Sequence, residues 1–360
     1  MTLTHCWLPP SPLKSRAKSR FEPWPSEQVL HPPEPQPPRI PEIDRAAPLL
    51  FIINAASGHH DSDDTRQLIE SALRTNDRTG ELLFARPQDL AHVAEQAAAT
   101  ACARHSAVIA VGGDGTINSV AQAAHALGCA MGVLPQGTFN YFARTHGIPN
   151  EAAQAAQTLL SCEPVPVQVG LINERVFLVN ASLGLYPELL QDREAYKTRF
   201  GRSRVVAFAA ALVTLLGRHR QLRLRIETGT QVRNVTTPTL FVGNNQLQLE
   251  QVGLAQASAL DHGFLAAVML RPIGSLAMLW LLLRGSFGIL GEADTVESFQ
   301  FHRMRVKPRL AWVAGSVKVA FDGEVSWMHA PIEFRVSPKP LYLIKPMIAD
   351  RATGRAAGPV

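Results

Sequence analysis

The chain has 360 residues, of which 46% are hydrophobic and 18% are charged, so it is a globular protein long enough for two domains with separate cores. Its formal net charge of +5 suits an anionic membrane surface or a phosphate-bearing ligand and is too small to indicate nucleic-acid binding. The four cysteines have no C-x-x-C spacing and no paired framework, which excludes a zinc site of that type and favours a reducing compartment.

The N-terminal segment is dominated by proline. Residues 1–48 hold 12 of the 26 prolines, and this density is incompatible with regular helix or sheet. Basic residues occur early in the segment, but no apolar run follows them, so we do not expect a secretory signal. We predict a disordered leader over residues 1–47.

Strands and helices are predicted to alternate after the leader. Short apolar runs at residues 49–53, 82–84, 108–111 and 131–134 are typical of buried strands. Between them, apolar residues recur at helical spacing, as in Leu68, Ile69, Ala72 and Leu73. This alternation predicts a doubly wound, mainly parallel sheet.

Three turns rich in glycine and polar residues follow predicted strands, at residues 54–58, 112–118 and 135–140. The second turn, Gly-Gly-Asp-Gly-Thr, leads from a strand into a helix, an arrangement that presents backbone N–H groups and a positive dipole end to a phosphate. Its single acid, Asp114, could act through a divalent cation. Ligands of open α/β sheets bind at the carboxyl ends of the strands, where all three turns are expected.

The second half of the chain is predicted to be β-rich. Short β-like runs occur at irregular spacing, at residues 165–169, 176–179, 222–226, 239–242, 264–270, 317–321 and 332–336. Two apolar helical segments, 205–216 and 276–283, are flanked by arginines and are shorter than the ~20 residues that a membrane span needs. They are either buried packing helices or helices lying in a membrane interface.

The three turns read N-x-x-S-G, G-G-D-G-T-x-N and P-x-G-T-x-N, and in this order they resemble the diacylglycerol kinase catalytic family. That family includes bacterial lipid kinases and the sphingosine and ceramide kinases. Segments 177–185, 239–245 and 321–324, the last containing Asp-Gly-Glu, are also similar to family segments. The resemblance extends over about residues 49–346.

The resemblance implies an N-terminal doubly wound α/β nucleotide domain at residues 48–164. A C-terminal β-sandwich-like lipid-binding domain would follow at 165–346, with a last strand that could return to the first domain, and residues 347–360 would be a flexible tail. The implied reaction is transfer of the ATP γ-phosphate to the hydroxyl of a lipid such as diacylglycerol, with Mg²⁺. We expect a cytoplasmic enzyme that works at the inner membrane face on a lipid substrate. No nucleic-acid partner is expected and no protein partner can be identified, while a homodimer is an open alternative.

The resemblance also implies roles for individual residues. Glu324 would be the base, Asp322 would support it, and Asp114 would act near the catalytic Mg²⁺. Asp261 is a doubtful candidate for a structural Mg²⁺ site, because His262 stands where the family has an acid before glycine. The residues implied in ATP binding are Asn54, Ser57, Gly58, Gly112, Gly113, Gly115, Thr116, Asn118, Thr138 and Asn140.

Three departures from the family pattern keep alternatives open. Tyr141 replaces a common acid, His262 alters the metal loop, and Phe84 occupies the position of a nucleotide-contacting threonine. A catalytically silent nucleotide- or lipid-binding relative is therefore one alternative. A NAD kinase-like enzyme, which also carries Gly-Gly-Asp-Gly-Thr, is another, although the acidic Asn-Glu motif expected in it is missing.

Overall fold

A computed structural model of the chain describes residues 39–55, 59–184, 221–229, 231–245, 263–272, 296–309 and 315–346. Several predicted features lie outside these ranges: the leader up to residue 38, the apolar helices 205–216 and 276–283, and the tail from 347. The predicted site residues Ser57, Gly58 and Asp261, together with His262, also lie outside them.

The first half of the chain alternates between strands and helices, as predicted. In chain order the elements are β1 (Leu49–Asn54), α1 (His59–Thr75), β2 (Gly80–Ala85), α2 (Leu90–Ala103), β3 (Ala107–Gly112), α3 (Asp114–Leu127), β4 (Ala130–Pro135), α4 (Tyr141–Thr145), α5 (Ala152–Ser161) and β5 (Pro164–Val167).

The described part of the second half consists of strands. They are β6 (Gly170–Ile172), β7 (Arg175–Phe177), β8 (Asn180–Gly184), β9 (Leu222–Thr228), β10 (Gln231–Thr237), β11 (Thr239–Gly243), β12 (Leu265–Leu270), β13 (Val296–Phe301), β14 (Arg303–Pro308), β15 (Ser316–Phe321), β16 (Glu324–His329), β17 (Ile332–Val336) and β18 (Leu341–Ile344). The chain is thus a mixed α/β protein rich in strands, as expected.

The first sheet has the order β2-β1-β3-β4-β18-β5. The pairs β1–β2, β1–β3 and β3–β4 are parallel. Because β3 and β4 are buried along their whole length, their apolar runs are continuous rather than alternating. The strand β18 returns from the far end of the chain to pair in parallel with β4 and antiparallel with β5.

The helices of the first half cover this sheet. On α3 the buried residues Ile117, Val120 and Ala124 recur at helical spacing and join the core formed by the strands. The helix ends at Gly128, whose φ of 70° is left-handed, a conformation that favours glycine. Because the sheet and the helix N-terminus are both anchored in this core, the turn between β3 and α3 has a defined position.

Residues at the end of the predicted leader contact the α/β core. The backbone N–H of Asp44 donates to the carbonyl of His105 at 2.8 Å, and Ile43 packs against the core. The chain is therefore attached to the folded body from Ile43, four positions before the predicted boundary at residue 47.

Two further sheets are antiparallel, with the orders β10-β9-β14-β17-β6-β7 and β13-β12-β11-β8-β15-β16. Along β9 the leucines and Ile226 are buried while Arg223 and Arg225 are exposed, the alternation expected of a sheet with one wet face. One buried cluster contains residues of both sheets, including Phe334 of the second and Phe301 of the third. The two sheets therefore share a core.

Helix α3 ties the first sheet to the antiparallel part. Its Gln122 side-chain oxygen accepts a hydrogen bond from the backbone N–H of Val176 at 2.8 Å, and the Asn118 amide donates to the Val176 carbonyl at 3.2 Å. Further along the helix, the imidazole Nε2 of His125 lies 2.8 Å from the hydroxyl of Ser337. The first two contacts hold strand β7 against the helix that begins in the glycine turn, and the third holds the residue that follows β17.

Candidate active site

The turns after β3 and β4 lie side by side, and Asn54 at the end of β1 lies at the same edge of the sheet, because these neighbouring strands are parallel and end there. The turns after β3 and β4 are also joined directly: the backbone N–H of Gln136 donates to the carbonyl of Gly112 at 2.9 Å. The second and third motifs, together with Asn54 of the first, therefore lie at one edge of the sheet.

Glycine at position 137 allows two turns to touch through their backbones. A Cβ on Gly137 would lie 3.0 Å from the Cα of Gly113 and 2.6 Å from the side-chain oxygen of Asn140. A Cβ on Gly113 would lie 3.4 Å from the Cα of Gly137. A side chain at position 137 would push the two turns apart, whereas one at position 113 would make an ordinary van der Waals contact.

Asn140 shapes the third turn from inside. It is buried, with a left-handed φ of 47°, a conformation that asparagine tolerates better than most residues. Its side-chain oxygen accepts from the N–H of Gly137 at 2.9 Å, and its amide nitrogen donates to Asn150 at 3.3 Å. By contrast, Thr138, at the tip of the same turn, is exposed and accessible to a ligand.

Thr116 and Asn54 meet beneath the second turn. Thr116 is buried, and a Cβ on Gly112 would lie 2.6 Å from its hydroxyl. The amide nitrogen of Asn54, at the end of β1, lies 3.5 Å from that hydroxyl. The hydroxyl of Thr116 is thus enclosed between the second turn and the end of β1.

The N-terminus of α3 has backbone donors that no residue of the helix can satisfy. The N-cap residue Gly113 is extended and provides no side-chain acceptor, and the first intrahelical bond runs from Ile117 to the Gly113 carbonyl. The preceding N–H groups of the helix, at Asp114, Gly115 and Thr116, therefore lack intrahelical acceptors. Together with the helix dipole, they form a site suited to a phosphate.

Asp114 has a carboxylate oxygen that is buried and has no hydrogen-bond partner among the described residues. Burial raises the pKa of this carboxyl, while the backbone N–H groups of Asn140 and Tyr141 oppose the rise. An unpartnered oxygen beside a phosphate site fits a hard cation such as Mg²⁺, which is usually held by one or two carboxylates together with substrate phosphates. Within the described ranges, no cluster of three or more His, Cys, Asp or Glu side chains could hold a metal.

Asp322 lies in the two-residue turn between β15 and β16. The φ angles of Asp322 and Gly323 are 46° and 88°, which is the geometry of a type I′ hairpin turn. Although the backbone of this turn is partly exposed, the carboxylate points inward and accepts from the N–H groups of Leu178, Val179 and Asn180 at 2.6, 2.8 and 3.0 Å.

A fourth donor to this carboxylate comes from Asn118 on α3, at 2.6 Å. Burial outweighs the four donors and raises the pKa of Asp322 to about 6. Asp322 therefore connects the hairpin to residues 178–180 and to helix α3 through hydrogen bonds. Asn118 has both hydrogens of its amide nitrogen engaged, by Asp322 and Val176, and its predicted contact with ATP stays a prediction.

Glu324, two residues after Asp322, is exposed and begins β16. Its carboxylate oxygen Oε1 lies 3.7 Å from the position of a Cβ on Gly115. The side chain therefore faces the first turn of α3, across the junction between the α/β part and the antiparallel sheets. Of the two hairpin carboxylates, Glu324 is the one that can reach a ligand on the glycine turn.

Several polar residues that support this junction were not singled out in the sequence. The amide of Gln168 donates to the Asn244 side chain at 2.9 Å and to the Phe264 carbonyl at 3.1 Å. Asn245 donates to the carbonyl of Tyr141 at 3.3 Å. Asn244 and Asn245 could have been found in the sequence, because they are two polar residues directly after the apolar run of segment 239–245.

Aromatic rings lie at two of the three positions that depart from the family pattern, the third being His262 outside the described residues. Tyr141 stacks on the exposed ring of Phe139, with the ring centroids 5.7 Å apart and an interplanar angle of 7°. Phe84, near the end of β2, is partly exposed, and the guanidinium of Arg66 lies 4.9 Å from its centroid. Both positions therefore offer apolar contact surface at this edge of the sheet.

Helices long and apolar enough to cross a bilayer are not found in the described portion of the chain.

Comparison with known proteins identifies the family. The model of the diacylglycerol kinase catalytic domain matches residues 48–172. A protein named "Probable lipid kinase YegS-like" from Pseudomonas aeruginosa strain PAO1 is 30% identical over 256 residues, which cover 69% of this chain and 79% of that protein. A diacylglycerol kinase from Bacillus subtilis is 38% identical over 107 residues, 29% of this chain and 34% of the relative.

Coverage differs among the relatives. The match to a YegS-like lipid kinase from Chromohalobacter salexigens, 30% identical, spans 54% of this chain and 63% of that protein, somewhat less than two thirds of its length. The crystal structure of a diacylglycerol kinase from Bacillus anthracis superposes with a TM-score of 0.59 at 18% identity, covering 83% of this chain and 97% of that one. This likeness concerns the fold. On its sequence matches, the chain belongs to the diacylglycerol kinase catalytic family.

Proposed function

We propose that the protein is an ATP-dependent lipid kinase that transfers the γ-phosphate of ATP to the hydroxyl of a lipid such as diacylglycerol. The observation that carries this proposal is the position of Glu324. Its exposed carboxylate faces the glycine turn at the start of α3, which is suited to binding a phosphate. A carboxylate in this position can accept a proton from a hydroxyl that attacks a bound nucleotide.

In this proposal the two parts of the chain bind different substrates. The α/β part, residues 48–164, binds the nucleotide, and the β-rich part, residues 165–346, is a sandwich-like domain that binds the lipid. The hydrogen bond between Asn118 and Asp322 supports a site at their junction, because it ties the nucleotide-side helix to the hairpin that carries Glu324.

Nucleotide binding is assigned to the three turns. The N–H groups at the start of α3 would hold phosphate oxygens, and Thr138 would add a side-chain contact. Ser57, Gly58 and Asn54, with the remaining residues of the second and third turns, complete the proposed ATP site. Asp114 would hold Mg²⁺ together with the ATP phosphates, and the cation would supply charge neutralisation.

The proton step is assigned to Glu324. As the lipid oxygen forms its bond to the γ-phosphorus, the bond from that phosphorus to the β,γ-bridging oxygen breaks and ADP leaves. The hydroxyl proton passes to the Glu324 carboxylate, which needs to accept it only as the new bond develops. Asp322 does not compete for this role, because its oxygens are occupied by four N–H donors.

Turnover measurements with two acceptors test the proposal. We expect ADP and a lipid phosphate monoester to form when ATP and Mg²⁺ are supplied with mixed micelles of detergent and diacylglycerol, and no phosphorylation of NAD. Phosphorylation of NAD alone would identify a NAD kinase-like enzyme. Binding of ATP without turnover of any lipid acceptor would identify a silent relative, and either result would contradict the proposal.

A further inference from the structure

Two aromatic side chains of the third turn form a stacked pair at the candidate active site. The rings of Phe139 and Tyr141 lie nearly parallel, at 7°, with their centroids 5.7 Å apart. Tyr141 packs against the core of the α/β part, whereas Phe139 is 50% exposed. An apolar ring that is held in place and left in water beside a ligand site is suited to contact an apolar part of a ligand.

The pair is anchored next to the acid of the glycine turn. The backbone N–H of Tyr141 faces the carboxylate of Asp114 and acts to lower its pKa. Gly137, two residues before Phe139, lies so close to Gly113 that a Cβ on it would come within 3.0 Å of the Gly113 Cα. The aromatic pair is therefore next to the groups to which the phosphates and Mg²⁺ are assigned.

Tyr141 also contacts the β-rich part of the chain. The side-chain amide of Asn245, two residues after β11, donates to the Tyr141 carbonyl at 3.3 Å. The neighbouring Asn244 donates to the carbonyls of residues 178 and 179, at 3.1 Å from its side chain and 2.9 Å from its backbone. The N–H groups of the same two residues donate to Asp322. The aromatic pair and the Asp-Gly-Glu hairpin are thus connected to one segment of the β-rich part.

The lipid and the nucleobase belong on opposite sides of the phosphates, because the acceptor attacks the γ-phosphate in line while the base is attached through the α-phosphate. The glycine turn follows β3, which has β1 and then β2 on one side and β4 on the other. Hydrogen bonds from the β-rich part reach the α/β part at α3 and at Tyr141, which follows the turn after β4. In the described part of the chain none of them reaches β2. The acceptor side is therefore the side of β4, where the aromatic pair lies.

We propose that the Phe139–Tyr141 pair contacts the apolar part of the acceptor lipid next to its reacting hydroxyl, so that Phe139 helps to select the acceptor. This inference rests on the proposed lipid kinase function, which places the acceptor hydroxyl between Glu324 and the γ-phosphate. For a diacylglycerol, the exposed surface of Phe139 lies against the ester region and the first methylene groups of the chains. Tyr141 supports that ring from the core side, and its backbone is held by Asp114 and Asn245.

Steady-state kinetics of the full chain, with both substrates varied, test this contact. Phe139→Ala should raise the KM for dioctanoylglycerol in mixed micelles about tenfold, the effect of losing apolar contact with most of a phenylalanine side chain. The KM for ATP and kcat should stay at the wild-type values, because neither the phosphate site nor Glu324 is altered. Phe139→Leu keeps most of the apolar surface without an aromatic ring and should restore most of the affinity for the acceptor.

A matched variant controls for the loss of an exposed apolar side chain. Leu127 is 49% exposed and is the last residue of α3, at the end of the helix away from the glycine turn. Leu127→Ala should therefore leave the KM values of both substrates unchanged. Thermal unfolding midpoints near the wild-type value would show that all three variants are folded.

Photo-cross-linking separates the aromatic contact from the proposed function. Dioctanoylglycerol with a diazirine next to an ester should label Phe139 or Tyr141 of the wild type in the presence of a non-hydrolysable ATP analogue. If these residues are labelled but no lipid is phosphorylated, the proposed function fails and the contact stands. Labelling confined to other residues, or an unchanged KM for the acceptor in an active Phe139→Ala variant, would refute the contact. A rise in the KM for ATP alone would identify the pair as a platform for the nucleobase and would also overturn the inference.

Discussion

Asn118, four residues after the acid of the glycine turn, donates a 2.6 Å hydrogen bond to Asp322, which lies 204 residues further along the chain. The same carboxylate accepts three backbone N–H groups from residues 178–180. One side chain thus joins the α/β part to the hairpin that carries Glu324.

Glu324→Gln should abolish most of the turnover while ATP affinity and the thermal unfolding midpoint stay near the wild-type values. The exposed side chain has no packing role, and a lost general base costs on the order of 100-fold or more. Steady-state kinetics with diacylglycerol micelles, combined with ATP titration, measure both effects. Glu174→Gln, at another exposed glutamate, is the control and should turn over normally. A Glu324→Gln variant as active as this control would show that the base lies elsewhere.

Asp114→Asn should fold normally and lose turnover by at least ~100-fold, the scale of a lost charge-stabilising group. The unpartnered oxygen assigned to Mg²⁺ becomes part of a neutral amide, so the Mg²⁺ concentration for half-maximal turnover should also rise. A Mg²⁺ titration of the residual activity checks this. Asp89→Asn, which breaks a surface ion pair with Arg86, should leave both quantities unchanged. Normal activity in a folded Asp114→Asn protein would remove Asp114 from the mechanism.

Asp322 should make the free energy of unfolding depend on pH. Its pKa is raised from 3.8 to about 6 in the folded state, so the folded protein binds more protons between these values than the unfolded chain. Its contribution to stability is therefore largest below about pH 4 and falls as the pH rises through about 6, by up to roughly 3 kcal/mol.

Urea unfolding at pH 4 and pH 7 measures this effect, with Asp322→Asn as the reference because asparagine does not titrate. The free energy of unfolding of the wild type, minus that of the variant, should be larger at pH 4 than at pH 7. An unchanged difference at the two pH values would mean that the four N–H donors hold the pKa near its ordinary value.

Gly137→Ala should destabilise the protein and weaken ATP binding together. The added methyl group would lie 2.6 Å from the Asn140 side chain and 3.0 Å from the Gly113 backbone, so the two turns must separate. Overpacking of this kind typically costs about 1–3 kcal/mol. Gly115→Ala is the stability control, because its nearest contact would be an ordinary 3.7 Å to Glu324. Chemical denaturation compares the two variants, and equal stability would show that the turns yield without cost.

Local patterns in the sequence predicted the α/β part well. The strands β1, β3 and β4 lie in a sheet covered by helices, so they appear as short continuous apolar runs that can be recognised without tertiary information. The glycine turn and the start of α3 were equally visible, because strand, glycine and helix periodicity are adjacent in the chain. In the β-rich part, β14 was missed although exposed basic residues alternate with the buried Met304 and Val306.

Only the tertiary structure separated the two carboxylates of the Asp-Gly-Glu hairpin. The sequence by itself determined that an acid stands on each side of Gly323 in a tight turn. Folding decides which acid is held by hydrogen bonds from the protein and which can contact a ligand, because the groups around each acid come from distant parts of the chain. Asp322 meets donors from residues 178–180 and from Asn118, all more than 140 positions away, whereas Glu324 remains exposed beside Gly115. Long-range contacts of this kind leave no periodic pattern in the chain, since each depends on the packing of separate elements against a common core.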